Sequence, residues 1–439
     1  MFKETSKELL DFLSKSPTAF HAVENYRQIL NADGFKELLE SEHWDIVPGG
    51  KYYVTRNNTS ILAFKVGTKL DNYSFNIVTS HTDSPTFKVK ENAEIEVKNK
   101  YTQLNTEGYG GMLCATWLDR PLSIAGRVLV SEGNSIVTKL LNIDRDLLMI
   151  PNVAIHMNRA ANDGFKYNLQ VDMLPLLSAG DDRQKDFKQI LADELGVKKE
   201  DILGHDLYLY NRMAPSIWGA NEEFISAGHL DDLQCGFASL KALLSGYNDE
   251  SIDIMACFDN EEVGSGTKQG ADSTLLRDTL TRINNALGKT EEDYHRALAS
   301  SFMLSADNAH AVHPNHPEHT DATNCTYMNE GVVVKSHAGQ KYTSDGVSMA
   351  VVKALASGAD VPLQYFANRS DKAGGSTLGN IAMAQASMNA VDIGLPQLAM
   401  HSSYETAGIK DTYYAISLMK ALFDSHIQET STHSLEIKR

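Results

Sequence analysis

The stretch SIDIMACFDNEEVGSG, residues 251–266, joins an apolar run to a cluster of carboxylates and then to glycines. Its first eight residues form a mostly apolar run that is short and bounded, which is typical of a buried strand. Asp259, Glu261 and Glu262 follow at once. Because like charges in a partly desolvated place repel, each carboxylate there needs a cation or a proton. The stretch therefore predicts a buried strand that ends at a cation-binding or proton-transferring site.

Comparable runs alternate with helical patterns along the chain. Strands are predicted at 51–67, 73–80, 300–305 and 395–400. Helices are predicted within 1–45 and at 233–246, 345–358 and 380–388. Strands that alternate with helices favour the α/β class, with a central sheet covered by helices on both faces.

A change of pattern between residues 89 and 227 indicates a second domain. Short alternating runs such as AEIEVKN (93–99) and IAGRVLVSEGNSIVTKLL (124–141) are concentrated there. A chain of 439 residues is also longer than a single hydrophobic core usually supports. We therefore predict one domain from residues 1–88 and 228–439, interrupted by a smaller β-rich domain at 89–227.

Composition excludes several classes of partner. A formal net charge of −17 argues against nucleic acid, whose binding requires clustered Lys and Arg. No apolar run reaches the roughly 18 residues that a membrane-spanning helix needs. The four cysteines lie far apart without a CxxC pair, so neither a disulfide framework nor a thiolate metal site is indicated. The first residues lack a secretory-signal pattern, and we expect a cytoplasmic protein.

Histidines and carboxylates recur where predicted strands end or helices begin. They are His81, Asp83, Asp231, Asp232, Glu261, Glu262, Asp307 and His401. Each alone is explained as well by a turn or a helix cap. Together they match the mixed nitrogen and oxygen ligands of hydrolytic zinc sites, in which two metals can share one carboxylate. One glutamate of the 261–262 pair could then be a ligand and its neighbour the general base.

Seven motifs spread over nearly the whole chain resemble the M18 family of metalloaminopeptidases, whose best-known members are aspartyl aminopeptidases. They are SHTDSP (80–85), IPNVAIHMNR (150–159), FISAGHLDD (224–232), FDNEEVGS (258–265), SADNAHAVHPN (305–315), VPLQYFANRSD (361–371) and GLPQLAMHSSYE (394–405). Their order and spacing are far more specific than a lone His or Glu motif. The resemblance implies a two-zinc exopeptidase fold, whose smaller domain serves dimerisation.

The resemblance also implies a set of metal ligands. His81, Asp231 and Asp307 would hold one zinc ion. Asp231, Glu262 and His401 would hold the other, which makes Asp231 the bridge. The same His and carboxylate ligands can accept cobalt or manganese, so the native metal stays open.

Two further carboxylates receive roles from the resemblance. Glu261 would be the general base that takes a proton from the attacking water and later gives it to the leaving amine. Asp83 would orient the His81 ligand.

For substrate binding, the resemblance points to four residues. A histidine from a neighbouring subunit, matching His156, would complete the site. Lys335 would pair with the carboxylate of an acidic N-terminal residue, and His310 and His313 would lie near the oxyanion of the transition state. Peptides would be the substrates, and family members assemble into tetrahedral dodecamers around an internal chamber.

Two departures from the family bear on these expectations. His229 and Asp232 flank the Leu-Asp pair where members commonly carry Arg and Asn, so Asp232 adds a carboxylate beside the bridge. Thr267 and Lys268 stand where aspartyl-specific members tend to carry small residues, which weakens the expectation of acidic specificity. A neutral-residue preference is therefore one alternative. A second is a two-metal amidohydrolase acting on N-acyl amino acids, because similar two-metal folds also serve amidohydrolases. A third is a shell-forming or cargo-binding relative that has lost activity.

Overall fold

A computed structural model describes residues 1–180 and 186–438. The helices are α1 (Phe2–Ser14), α2 (Ala19–Ala32), α3 (Phe187–Leu195), α4 (Leu230–Ser245), α5 (Leu275–Ala286), α6 (Glu291–Ala299), α7 (Gly346–Gly358), α8 (Leu378–Gln385) and α9 (Asp411–Phe423). Up to residue 211 the strands are β1 (Lys36–Glu37), β2 (Lys51–Arg56), β3 (Ser60–Val66), β4 (Ser74–His81), β5 (Thr86–Val97), β6 (Tyr101–Tyr109), β7 (Leu122–Glu132), β8 (Ser135–Asn142), β9 (Leu176–Ala179) and β10 (Ile202–Asn211). The later strands are β11 (Ser216–Trp218), β12 (Phe224–Ala227), β13 (Ser251–Phe258), β14 (Phe302–Ala306), β15 (Ala309–His310), β16 (Val332–Ser336), β17 (Leu363–Ala367), β18 (Asn389–Gly394), β19 (Pro396–Leu398), β20 (Glu405–Gly408), β21 (His426–Ser431) and β22 (Ser434–Lys438).

The main sheet has nine strands in the order β1-β2-β3-β13-β4-β14-β18-β16-β17. Its centre is parallel, since β4 pairs in parallel with both β13 and β14. All residues of these three strands are buried. Their carboxyl ends therefore meet at one edge, where Phe258 is paired with His81. This edge is where ligands bind in open α/β sheets.

Apolar side chains cover both faces of this sheet. One core joins residues of α1, α4, α7 and α9 to the strands, and a second core joins residues of α5, α6 and α8 to the opposite face. Tyr26 and Phe423 are fully buried in the first core, and Phe64 and Phe75 in the second. The predicted α/β class is thus confirmed, and the rigid sheet fixes the ends of its strands.

A separate six-stranded sheet, in the order β8-β7-β10-β5-β6-β9, has its own core. Phe87 and Trp117 pack edge to face there, with ring centroids 5.4 Å apart. The next strands, β11 and β12, belong to a different sheet, in which β12 pairs with β20. The pairing thus changes sheet between Asn211 and Ser216, upstream of residue 227, and the division at 89 and 227 stays a prediction.

Local signals explain where the observed elements differ from the predicted ones. The runs 51–67 and 124–141 are each two strands, because Asn57 and Asn58 adopt positive φ angles in one turn and Gly133 does so in the other. The helical pattern of the first 45 residues ends at Ala32. In the described parts of the chain, each helix is too short or too polar to cross a membrane.

Candidate metal centre

Asp231 lies between two histidines at the carboxyl edge of the main sheet. Its Oδ1 is 3.5 Å from Nε2 of His81, and its Oδ2 is 3.4 Å from Nε2 of His401. The side chain is buried at the start of α4. One carboxylate thus presents a different oxygen to each histidine, which is the arrangement that two metal ions sharing a carboxylate require.

Two more carboxylates complete the two halves of this cluster. Oδ1 of Asp307 is 3.8 Å from Nε2 of His81, and Oε1 of Glu262 is 3.3 Å from Nε2 of His401. One ligand atom from each of Asp231, Glu262 and His401 lies within 4.8 Å of the others. The structure therefore brings together all five side chains that the sequence suggested as metal ligands.

Buried oxygens without partners show that the cluster fits a cation. Among the described residues, Oδ1 of Asp231 and Oε1 of Glu262 accept no hydrogen bond, although both atoms are buried. A buried polar atom without a partner costs free energy, and a buried carboxylate costs more. Histidine nitrogens and carboxylate oxygens in this mixture suit zinc. The residues present thus fit a zinc centre.

Asp232, the extra carboxylate beside Asp231, has a different place. Its Oδ2 accepts a hydrogen bond from the backbone N–H of His81 at 3.1 Å, and its side chain is fully buried. It also lies within ligand distance of His81 and Asp307. Burial, with repulsion from Asp307 and Asp231, raises its pKa well above the usual range. Asp231 remains the better bridge, because only its two oxygens face both histidines.

The ring of His81 is oriented through its other nitrogen. Nδ1 lies 3.0 Å from the backbone oxygen of Asp83 and 3.4 Å from Oδ1 of the Asp83 side chain. A hydrogen bond to the backbone oxygen leaves Nε2 free to face Asp231. The orientation expected from the Asp83 carboxylate thus comes mainly from its backbone.

The Asp83 carboxylate instead anchors the two glutamates. Oδ1 accepts the backbone N–H of Glu261 at 3.1 Å, and Oδ2 accepts that of Glu262 at 3.2 Å. Tyr109, at the end of β6, donates its hydroxyl to Oδ2 at 2.7 Å and accepts from the amide of Asn260 at 2.7 Å. One carboxylate therefore fixes the turn from which both glutamates project.

Glu405 has the corresponding role on the other side of the cluster. Its Oε2 accepts the backbone N–H of Asp231 at 3.0 Å, and its Oε1 accepts that of His401 at 2.8 Å. His401 itself has a φ of 67°, in the left-handed region. One buried carboxylate thus fixes the backbone of two ligands that lie 170 residues apart, counted from Asp231 to His401.

The segment after β6 holds the side chain and backbone of His401. Nδ1 of His401 lies 2.8 Å from the carbonyl oxygen of Gly111, and Leu113 donates its N–H to the carbonyl of His401 at 3.0 Å. Gly110 has a φ of 74°, and a Cβ there would lie 3.1 Å from Cβ of Glu262. Glycine at 110 therefore permits both this turn and its close approach to the cluster.

Charge in the cluster shifts several pKa values. Burial raises the pKa of Glu261 to about 7, with Asp307 and Asp83 adding repulsion against an opposing effect of His81. Burial and repulsion from Asp231 raise the pKa of Glu262 well above its usual range. For His401, burial opposes the charged form, but Asp231 and Glu262 outweigh it and raise the pKa to about 10. These shifts express an excess of negative charge that a bound cation would relieve.

A cavity of about 230 Å³ opens beside the cluster. Glu261, His310, Lys335, Tyr342 and Phe366 are among the residues that line it. Nζ of Lys335 is buried, donates to the carbonyl of Asn308 at 2.8 Å and lies 3.7 Å from Oδ2 of Asp307. Burial opposes the charge of Lys335, but the carboxylates around it, Asp307 first, raise its pKa. The cavity thus has a fixed positive charge beside its carboxylates.

The other two predicted binding residues lie outside the wall of this cavity. His313 is exposed, and its ring packs 5.4 Å from that of His316. His156 is exposed in a turn between Ile155 and Met157. Sequence reasoning gave no role to Tyr109, Gly111 or Glu405. Glu405 stood in the motif that ends in SSYE, whereas nothing near Tyr109 in the sequence marked it.

Histidines and carboxylates grouped at the carboxyl edge of an α/β sheet are typical of metal-dependent hydrolases. Residues 12–423 match the family described as aminopeptidase I zinc metalloprotease (M18). The chain belongs to this family, and it is an aminopeptidase of the zinc metalloprotease type. The resemblance seen in the sequence is thereby confirmed.

Similar proteins extend over almost the whole chain. A probable M18 family aminopeptidase 2 of Clostridium novyi is 48% identical over 425 residues, covering 95% of this chain and 98% of that protein. Its namesake in Stutzerimonas stutzeri is 39% identical, covering 97% and 99%. Among solved structures, Ape4 in complex with Nbr1 has a TM-score of 0.93 at 35% identity, covering 96% of this chain and 86% of that one. The S. cerevisiae mApe1 dodecamer has a TM-score of 0.84 at 28% identity, covering 96% and 97%.

Proposed function

We propose that this aminopeptidase uses two zinc ions and prefers peptides with an acidic N-terminal residue. The observation that carries the two-metal proposal is the position of Asp231, whose two oxygens face His81 and His401 separately. His81, Asp231 and Asp307 would hold one ion. Asp231, Glu262 and His401 would hold the other.

When bound, the two ions polarise the scissile carbonyl and lower the pKa of the attacking water. Glu261 lines the cavity, and its backbone N–H is held by Asp83, whereas among the described residues its carboxylate has no hydrogen-bond donor. A carboxylate that lines the cavity without such a partner can accept a proton from water and return it. In the proposed mechanism, Glu261 takes a proton from the water and delivers it to the leaving amine, while Asp83 holds its backbone in place.

The acidic preference rests on Lys335. Its buried ammonium group lines the cavity, and a carboxylate entering there would gain an ion pair in a desolvated place. His310, exposed in the same wall, offers a ring nitrogen for hydrogen bonding to the substrate. Thr267 and Lys268 do not line this cavity, which weakens the argument that their departure from the family alters specificity.

We also propose a homo-oligomer, built on the insert at 89–227 as a dimerisation domain and extending to a dodecamer. The large apolar side chains exposed near His156 support this, because such patches mark protein interfaces. They are Val153, Ile155, Met157, Phe165, Leu169 and Val171. In such an assembly His156 would enter a neighbour's site. The yeast neighbour mApe1 forms a dodecamer.

The cytoplasm is the proposed compartment. All four cysteines, Cys114, Cys235, Cys257 and Cys325, are free thiols. Free thiols suit a reducing compartment.

Substrate profiling with defined metals tests the function. The metal-free protein is loaded with zinc, cobalt or manganese and given Asp-anilide, Leu-anilide and an N-succinyl amino acid. We expect Asp-anilide to be hydrolysed fastest and the blocked amino acid not at all. Faster hydrolysis of Leu-anilide would refute the acidic preference, and activity on the blocked amino acid alone would favour the amidohydrolase alternative.

Metal counting tests the two-ion proposal separately. The buried centre should bind a pair of ions, and Asp231→Asn should weaken both, because each loses the same carboxylate. If Asp231→Asn affected only one ion, Asp231 would not be the bridge.

A further inference from the structure

Beyond β15, which supplies His310 to the cavity, the chain makes successive turns that carry His313, His316 and His319. His316 donates its N–H to the carbonyl of His313 at 3.0 Å, and His319 donates to that of His316 at 3.2 Å. Side chains three residues apart in such tight turns lie above one another. The rings of His316 and His319 stack with centroids 5.4 Å apart and an angle of 26°.

These turns bring three metal-binding side chains together on the surface. One ligand atom from each of His316, Glu318 and His319 lies within 4.8 Å of the others. Oε1 of Glu318 is 3.1 Å from Nδ1 of His316. All three residues are exposed, and none of them lines the cavity beside Asp231. The group is therefore separate from the buried centre and open to ions from solvent.

Bonds to the backbone hold this arrangement in place. Arg369 donates to the carbonyl of Glu318, and Thr320 donates its hydroxyl to the carbonyl of Pro317 at 2.8 Å. The side chains need little rearrangement to converge on an ion.

We propose that His316, Glu318 and His319 form a second, exposed site for a divalent transition-metal ion such as Zn²⁺. Two imidazoles and one carboxylate are a common zinc ligand set, and solvent would fill the remaining position. Imidazole ligands favour zinc, nickel or copper over magnesium, which prefers oxygen. The site is independent of the proposed two-zinc mechanism, since it shares no residue with the buried cluster.

Zinc counting on the full-length protein tests this site. Wild type, His316→Ala/His319→Ala and the control His43→Ala/His295→Ala are dialysed against buffered Zn²⁺ and their zinc measured by mass spectrometry. The control removes two exposed histidines, at 90% and 63% side-chain exposure, that belong to other surface ion pairs. We expect wild type and control to bind about one zinc ion per chain more than the test variant. Equal counts in all three proteins would overturn the proposal.

Two further measurements separate loss of the exposed site from misfolding of the variant and test which metal the site prefers. The tightly held zinc that resists a weak chelator reports the buried centre, and it should be equal in all three proteins if the variants fold. Loss of that zinc in the test variant would mean that the turn serves folding of the centre and is no separate site. Excess Mg²⁺ should leave the additional zinc in place, whereas displacement by Mg²⁺ would contradict an imidazole site.

Discussion

The hydroxyl of Tyr109 lies 2.7 Å from Oδ2 of Asp83, and this hydrogen bond links the six-stranded sheet to the turn of Glu261 and Glu262. Asp83 binds the backbone N–H groups of both glutamates, so Tyr109 acts on them through Asp83. Tyr109 is therefore a positioning residue, because it touches neither substrate nor metal in the proposed mechanism.

Tyr109→Phe should lower kcat with little change in KM, since the aromatic ring stays and only the alignment of Glu261 is loosened. A hydrogen bond to a charged group contributes about 1.5–3 kcal/mol, which corresponds to roughly a ten- to hundred-fold loss. Tyr208→Phe is the control, because Tyr208 packs on Tyr109 at 5.6 Å without a hydrogen bond to Asp83. Equal losses in both variants would show that ring packing, and not the hydroxyl, is responsible.

Glu261→Gln should remove general-base catalysis and leave metal binding intact. The amide keeps the shape of the side chain but cannot accept the proton, so kcat should fall about 10²- to 10⁴-fold. Steady-state rates and zinc content are measured on the same preparation. Full activity with normal zinc would make the assignment of the base wrong.

Glu405→Gln should weaken retention of metal. Glu405 accepts N–H bonds from both Asp231 and His401 with separate oxygens, and the amide keeps only one of these acceptors. Loss of a group that supports metal ligands typically costs about 10- to 100-fold in metal affinity or activity. The zinc that stays bound after dialysis against increasing concentrations of chelator measures this retention. Unchanged retention would show that the two backbone bonds do not position the ligands.

Lys335→Met should reduce the preference for acidic substrates. The ratio of kcat/KM for Asp-anilide over Leu-anilide should fall about ten- to hundred-fold, because a charge-assisted contact is lost only for the acidic residue. Because the variant also leaves Asp307 without the Lys335 ammonium group, activity on both substrates can fall. The ratio of the two kcat/KM values cancels a loss that both substrates share. Lys341→Met is the control, since its ammonium group donates to the carbonyl of Gly374 and does not line the cavity. An unchanged ratio would exclude Lys335 as the determinant.

Asp253→Asn should stabilise the protein more as the pH rises. Asp253 is buried within β13, and burial raises its pKa to about 8 from an ordinary 3.8. Between these values the folded chain keeps the proton that the unfolded chain releases, so the free energy of unfolding falls with pH by up to about 1.4 kcal/mol per unit. Asn removes this dependence and keeps Oδ1, which accepts from Asn76 and Ser251.

Melting temperatures of wild type and Asp253→Asn at pH 5.5 and pH 8 measure this effect. The difference between the two proteins should move in favour of the variant at the higher pH. A difference that does not change with pH would mean that Asp253 is ionised in the folded protein throughout this range.

The strands at the centre of the sheet could be predicted from the sequence, because they are short, mostly apolar and followed at once by polar residues. His81, Glu262 and Asp307 therefore fall at one edge as expected. His401 does not follow a strand of that sheet, since β19 has only three residues and pairs with β15 and β20. For His401 the family motif, and not the strand pattern, points to the residue that lies beside Asp231 and Glu262.

The supporting residues could not be predicted from local patterns. Tyr109 contacts a carboxylate 26 residues earlier in the chain and Asn260, which lies in the turn after β13 of another sheet. Gly111 is 290 residues from His401, the ring that it orients. Such contacts depend on how two sheets pack against each other. The hydrophobic periodicity of one segment does not report this packing, so it could not reveal these residues.

The bond between the Gly111 carbonyl and the His401 ring has a consequence for the newly made chain. Gly111 is synthesised early and His401 late, and the ring is oriented only when the six-stranded sheet has docked beside the main one. A chain still being made, or one whose sheets have not yet met, thus lacks a correctly aimed histidine. Assembly of the proposed metal centre thus depends on a contact between parts of the chain that lie 290 residues apart.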